Sequence, residues 1–244
     1  MIDIHTHILP GIDDGAENIY MAQEMLAMLR DSGVDQIFLT PHFNPEKASV
    51  ESFLDRRANA WAALKAILSE QEAAQIRLGA EVHCCPRLLS LNLKEVTLGN
   101  SDYLLLELPA RGYPAHLIQF VEELLGNGII PILAHVERYG YFRESSELLK
   151  ELIDLGALAQ VSAAVLSGRK DKNFAAACLA HNLAQIVASD AHNVTARRPR
   201  MELVKRLPGE TRRLHEVFSH AVWDNELPPY VRTSVVKKGV FGYR

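Results

Sequence analysis

Cysteine is scarce in this sequence, and what there is cannot form a disulfide framework. Cys84, Cys85 and Cys178 are an odd number, and two of them are adjacent. That usage suits a reducing compartment, so a cytoplasmic protein is expected. An excess of positive charge is also missing. The 26 Lys and Arg are outnumbered by 30 Asp and Glu, and no basic tail or stripe stands out. Nucleic-acid binding driven by charge is therefore not expected. No apolar run approaches the roughly 18 residues of a membrane span, and no basic-then-apolar leader opens the chain, so no membrane insertion is expected. Linkers rich in Pro, Gly or Ser, low-complexity tracts and internal repeats are lacking as well. A chain of 244 residues without a linker reads as a single domain over 1–244. Its hydrophobic fraction of 48% is enough for a full core.

What is present is an alternation. Seven apolar, strand-like runs occur at 2–5, 36–41, 76–82, 103–108, 130–136, 158–163 and 185–189. Several are continuous rather than alternating, as strands covered on both faces of a parallel sheet should be. Helical stretches separate most of them. Ile19, Ala22, Leu26 and Leu29 repeat on one helical face, with Gly33 at the end. Residues 53–68 favour helix, and Leu117, Val121, Leu124 and Leu125 form another apolar stripe. Residues 147–155 and 173–183 complete the pattern, while the link 86–100 is shorter and less regular. Further helices are expected at 197–206 and 210–223. Val235-Val236 is a weak candidate for an eighth strand, and the tail 228–244 reads as a wrapping segment. Alternating strand and helix argue for a parallel α/β fold. A barrel of seven strands is the first choice, ahead of an eight-stranded barrel and an open doubly wound sheet.

Polar residues fall on that map in one place. His5 and His7 end the first strand and, two apart, point the same way. Asp14 follows on a turn bounded by Gly11 and Gly15. His42, Glu81, Glu107 and His135 end the second to fifth strands, and Asp190 and His192 end the seventh. Any one of these alone would cap or solvate a strand end. Six strand ends in agreement place nine donors on the face of an α/β barrel where active sites sit. Five imidazoles and four carboxylates exceed what one ion needs, so two or three metals are implied. Mixed nitrogen and oxygen donors without thiolate suit Mn, Fe or Zn rather than a structural zinc. Four carboxylates contribute less negative charge than three divalent ions contribute positive, so a site loaded with three stays positive and attracts an anion. That fits phosphate-ester hydrolysis, with one metal making hydroxide at neutral pH and others stabilising the attacking and leaving oxygens.

Arg138, three residues after His135, and Arg197, five after His192, lie on loops of the same face. There each guanidinium could fork onto phosphate oxygens. His83 shares a strand face with Glu81 and reads as a rim or outer group. His116, His181, His215 and His220 lie in or beside helices and read as surface or packing residues.

Assembled, these residues resemble the polymerase-and-histidinol-phosphatase (PHP) superfamily, and more narrowly the capsular-polysaccharide tyrosine phosphatases of bacteria. The matching segments are residues 3–15 (DIHTHILPGIDDG), Thr40-Pro41-His42, 105–109 (LLELP), 134–139 (AHVERY) and 189–193 (SDAHN). Their order is kept across nearly the whole chain. One departure is Val136, where relatives often carry proline. The resemblance implies a distorted seven-stranded (β/α) TIM-like barrel with three divalent ions, manganese first and iron, zinc or magnesium as alternatives. It implies one ion on His5, His7, Glu81 and Asp190, a second on Glu81, Glu107 and His135, and a third on Asp14, His42 and His192. It assigns phosphate binding to Arg138 and Arg197.

The same resemblance implies a protein-tyrosine phosphatase whose partner is a phosphotyrosine-bearing bacterial tyrosine kinase controlling polysaccharide export. A cysteine nucleophile is excluded, because the position six residues after each cysteine holds Ser90, Leu91 or Ala184 rather than arginine. Phe43, Tyr113, Tyr139 and Tyr141 are aromatic candidates to flank a phenyl ring. A small-molecule phosphoesterase such as a histidinol phosphatase is the alternative. An amidohydrolase is weaker, since Glu107 stands where those barrels usually carry a bridging lysine. A regulatory domain without activity is disfavoured by the filled donor set.

Overall fold

The computed structural model describes residues 1–168, 171–236, 238, 239, 242 and 243. Nine short parallel strands carry the fold. They are β1 (Ile2–Asp3), β2 (Gln36–Leu39), β3 (His42–Phe43), β4 (Ile76–Leu78), β5 (Glu81–His83), β6 (Tyr103–Glu107), β7 (Ile130–Leu133), β8 (Leu158–Ser162) and β9 (Ile186–Ala188). One ladder runs β1-β2-β4 and the other β3-β5-β6-β7-β8-β9. Two expected strands are thus each broken in two. The break between β2 and β3 falls at Thr40-Pro41, where proline has no N–H to give. The break between β4 and β5 falls at Gly79-Ala80. A Cβ on Gly79 would stand 2.7 Å from Leu98 Cδ2 and 3.3 Å from Leu98 Cα, so glycine permits the close approach there.

The result is an α/β fold with a curled parallel sheet. Its two ends approach each other. Asp190 N–H donates to His5 O at 2.9 Å and His7 N–H to Ala191 O at 2.9 Å. Thr6 and Ala191 form an isolated parallel bridge, and Thr40 N–H donates to Thr6 O on the other side.

Helices cover the outside: α1 (Ile19–Asp31), α2 (Val50–Lys65), α3 (Glu70–Ala74), α4 (Leu117–Gly126), α5 (Gly140–Glu144), α6 (Ser146–Leu155), α7 (Lys172–Ala180) and α8 (Gly209–Asp224). Helix α1 starts where Asn18 accepts from the N–H groups of Tyr20 and Met21. Helix α2 starts three residues earlier than expected because Ser49 caps it. The link at 86–100 is three short 3-10 turns. The helix expected at 197–206 is a single 3-10 stretch, Met201–Arg206. Pro199 stands just before it, and the residue preceding a proline is biased away from helical geometry.

One apolar cluster joins α1, α2, α4, α6 and α7 to the outer strand face through Ile37, Leu39, Leu104, Leu106, Leu133 and Val161. The opposite face contributes Phe38, Tyr103, Leu105, Ile132, Leu158 and Ile186, packed on Phe218, Val222 and Trp223 of α8. Alternation then puts Glu107 on the same face of β6 as Leu105, and Gln160 on the same face of β8 as Leu158. Beyond α8 the tail does wrap. Ser234 N–H reaches His181 O and Val236 N–H reaches Ser146 Oγ. Val235 and Val236 lie outside any strand. A small hairpin instead pairs Lys238–Gly239 with Gly242–Tyr243, and the rest of the expected tail, including 240–241, lies outside the described residues. Among the described residues no helix is long and apolar enough to cross a membrane.

Asp3 stitches the two ends of the sheet from inside. It is fully buried, and its Oδ1 accepts from Ser189 N–H at 3.0 Å and His5 N–H at 3.3 Å. Burial raises its carboxyl to about 6, against the pull of the Ser189 and His5 bonds. A folded value above the unfolded one gives a stabilising contribution that is complete below about pH 4 and lost as pH rises through about 6. In chelated protein, the stability of Asp3→Asn relative to wild type should therefore climb between pH 4 and pH 8, by up to ~3 kcal/mol. Urea unfolding at a series of pH values checks this, and a flat difference would refute it.

Candidate metal centre

The turn after β1 builds the first half of the site. Gly15 lies against His7, where a Cβ would sit 2.0 Å from the His7 carbonyl oxygen. Ala16 N–H donates to that same oxygen at 2.9 Å. The turn is thereby pressed over the imidazole, carrying Asp13 and Asp14 with it. Asp13 turns inward. Its Oδ2 accepts from His7 Nδ1 at 2.8 Å and from His42 N–H at 3.0 Å, and its Oδ1 accepts from Gly15 N–H at 3.0 Å. Asp14 stays at the surface, with Oδ1 3.3 Å from His42 Nε2 and 3.4 Å from His192 Nε2.

The second half comes from β5, β6, β7 and β9. Glu81 is buried at the centre. Its Oε2 lies 3.3, 3.2 and 2.9 Å from ring nitrogens of His5, His7 and His42, and its Oε1 2.8 Å from His135 Nε2. Glu107 Oε1 is 4.0 Å from His135 Nε2. Asp190 Oδ1 is 3.5 Å from His5 Nε2 and 3.6 Å from His7 Nε2. His135 and Asp190 both adopt left-handed backbone, with φ of 35° and 49°. That conformation is uncommon with a side chain and turns each residue out of its strand's direction.

All nine expected donors therefore converge. They fall into overlapping clusters of His5, His7 and Glu81, of His7, Asp14, His42 and His192, and of His42, Glu81 and Glu107. Asp190 and His135 adjoin them. The clusters depart from the partition implied by the resemblance: the first lacks Asp190, the second adds His7, and the third has His42 where His135 was expected.

The donor chemistry fits divalent ions. Asp13 takes the hydrogen of His7 Nδ1, and the Gln160 amide oxygen lies 3.3 Å from His5 Nδ1. In the neutral tautomers that these contacts favour, both rings would present bare Nε2 atoms to a bound ion, and those atoms face each other at 3.1 Å. Glu81 Oε2 lies close to both yet makes no well-formed hydrogen bond, and His192 Nε2 has no partner either. Lone pairs crowded in this way need positive charge between them. Without an ion, protons supply that charge. Burial opposes charge on His7, but Asp13 and Glu81 overcome it and raise the imidazole to about 10. Burial likewise opposes charge on Glu81, but His5, His135 and His42 hold its carboxyl well below the usual range. His192 is pushed down to about 3 by burial, with His7 adding to it.

Both arginines reach this face. Arg138 donates to Asp190 and to Ser162 Oγ. Arg197 donates to both oxygens of Asp190 and to Asp14 Oδ2, each at 3.2 Å. His83 pairs with Glu107 Oε2 at 3.4 Å on the rim. Two aromatic expectations need correction. Phe43 and Tyr139 are 1% exposed and cannot flank a ligand. Phe43 packs on Phe53, and Tyr139 stacks on Tyr141 while its hydroxyl accepts from Leu108 N–H. Only Tyr113 and Tyr141 are partly exposed. All three cysteines are buried, and burial pushes the Cys84 thiol up to about 12. His215 is a packing residue, its Nδ1 accepting from Val187 N–H. Asp13 and Gln160 were not singled out by sequence. The adjacent Asp13-Asp14 pair offered two carboxylates, and the support that histidine ligands usually need was a signal for the second.

A family model described as "Capsular polysaccharide synthesis, CpsB/CapC" matches residues 1–220. The chain belongs to the CpsB/CapC family. Its relatives include tyrosine-protein phosphatase YwqE of Bacillus subtilis, 35% identical over 81% of this chain and 79% of the relative. Tyrosine-protein phosphatase CpsB of Streptococcus pneumoniae is 32% identical over 83% of this chain and 87% of its own length. A solved structure from the pair YwqE and CpsB, described as unique metal-dependent tyrosine phosphatases, matches with a TM-score of 0.81 and 27% identity, covering 97% of this chain and 100% of that one.

Within this family member, Asp13 is the tether that fixes the His7 ring. Asp13→Ala should weaken manganese binding by about 10–100-fold, the scale for losing such a support, with unchanged circular dichroism. Calorimetric titration checks it, and wild-type affinity would remove Asp13 from the site.

Proposed function

We propose that this chain is a metal-dependent protein-tyrosine phosphatase, a phosphoric monoester hydrolase. The observation that carries the reading is the packing of bare imidazole and carboxylate donors around Glu81, with two guanidiniums converging on Asp190 beside it. The naming of its relatives as tyrosine-protein phosphatases supports phosphotyrosine as substrate. The curled sheet is read as a distorted seven-stranded barrel forming one domain, supported by the Thr6–Ala191 bridge between its ends. His5, His7, Glu81 and Asp190 are the proposed holders of one ion, Glu81, Glu107 and His135 of a second, and Asp14, His42 and His192 of a third. Manganese is the first choice. When bound, such ions supply a nucleophile at neutral pH and neutralise charge on the oxygens of the displaced phosphoryl group.

The chain's own residues do the rest. Arg138 and Arg197 exchange their Asp190 contacts for phosphoryl oxygens, holding the group in line and stabilising its developing charge. Asp14 is exposed at the mouth and steers the orientation of Arg197. Phenolate leaves more readily than an alkoxide, so an aryl ester needs less help from a general acid. Tyr113 and Tyr141 are the remaining aromatic groups able to flank a phenyl ring. The family's link to capsular polysaccharide synthesis supports a bacterial tyrosine kinase as the transient partner. Three unpaired cysteines support a cytoplasmic setting.

Chelation should abolish hydrolysis, and manganese should restore it better than magnesium, because imidazoles are poor ligands for a hard ion. At saturating manganese, kcat/KM should be higher on phosphotyrosine peptides than on phosphoserine peptides or histidinol phosphate. A tenfold preference for histidinol phosphate would hand the site to a small-molecule phosphoesterase. Arg138→Ala and Arg197→Ala should each cost about 2–4 kcal/mol of transition-state stabilisation. That loss is read from kcat/KM, and wild-type kinetics in either variant would exclude that arginine from phosphate binding.

A further inference from the structure

Gln160 has no part in the chemistry above, yet it touches two of the donors. It lies on β8, a strand that supplies none of the nine, and it is completely buried. Its amide oxygen accepts from His135 N–H at 2.8 Å and lies 3.3 Å from His5 Nδ1. The backbone N–H fixes which end of the amide points inward, because only the oxygen can accept it. An oxygen that only accepts can meet His5 Nδ1 only when that nitrogen carries the hydrogen. His5 Nε2 is then bare, and Nε2 is the atom facing His7 Nε2 and Glu81 Oε2. The second bond acts on backbone. His135 is in the left-handed region, where its N–H leaves the regular ladder, and Gln160 gives that N–H an acceptor. The His5 and His135 rings stand 5.8 Å apart and address different oxygens of Glu81.

We infer that Gln160 is a positioning residue for the metal centre: one buried amide oxygen sets the tautomer of His5 and the backbone twist that aims His135. This role rests on the metal-dependent reading of the site. Glutamine suits it better than glutamate, since a neutral acceptor adds no further negative charge beneath Glu81 and Asp190.

Gln160→Met keeps the length and removes the acceptor, while Gln160→Glu keeps the acceptor. Gln160→Met should weaken manganese binding about 10–100-fold in calorimetric titration, and lower kcat more than it changes KM. Gln160→Glu should stay within a few-fold of wild type in both. A folded Gln160→Met protein that binds manganese like wild type, when wild type itself binds it, overturns the role of Gln160 alone. Wild-type protein that neither binds manganese nor is activated by it overturns the metal-dependent reading and this role together. Long-range proton–nitrogen correlation on the histidine rings of wild-type protein needs no variant. His5 should carry its hydrogen on Nδ1, and a hydrogen on Nε2 overturns the proposal whether or not the variants fold.

Discussion

Two imidazole nitrogens and a carboxylate oxygen, His5 Nε2, His7 Nε2 and Glu81 Oε2, are held within 3.3 Å of one another. In water such groups would separate or take up protons. Keeping them together is the constraint on which the rest of the structure depends. Each donor is fastened from behind. Asp13 holds His7, Gln160 holds His5, and the Gly15 turn clamps the loop that carries both aspartates. The fastenings in turn lean on rigid elements: most of the donors lie in or next to short, largely buried strands rather than on long loops.

Short strands also explain the irregular sheet. A continuous ladder would carry each strand straight past its donor. The breaks at Thr40-Pro41 and Gly79-Ala80, and the left-handed residues His135 and Asp190, let the chain turn at the metal face. The opposite end of the sheet is closed by apolar contact with α8 through Phe218, Val222 and Trp223. Polar convergence at one end and dry packing at the other divide the interior between chemistry and stability.

Much of this was legible in the sequence, for a physical reason. A buried parallel strand reads as an apolar run, and a single His, Glu or Asp at its end is conspicuous. Eight of the nine donors stood out that way, while Asp14, Arg138 and Arg197 were marked by their places on the turns and loops that follow such ends. Asp13 did not, because its value lies in meeting the far side of the His7 ring, a tertiary contact. Gln160 sits inside the apolar run at 158–163 and was absorbed into it, although a polar residue in such a run was itself a signal. Phe43 and Tyr139 misled in the other direction. Nearness to a donor along the chain was taken for nearness to its ligand, whereas both rings turn into the helix–sheet interface. The strand breaks were marked by Pro41 and Gly79, and the early start of α2 by Ser49. The second neighbour of the first segment, close to residue 190, was set only by three-dimensional closure.

That last pairing has a consequence for how the chain is made. Asp3 accepts from Ser189 across 186 positions of sequence, so β1 leaves the ribosome long before the segment it closes against. Until then one edge of β1 is unpaired, and an unpaired edge is a template for the wrong neighbour. The apolar shell can condense as helices and strands emerge in order, but the donors cannot gather until residues 189–192 arrive. Contacts of such long sequence separation form late and slowly. A chain cut short before them would hold most of its core and none of its completed site.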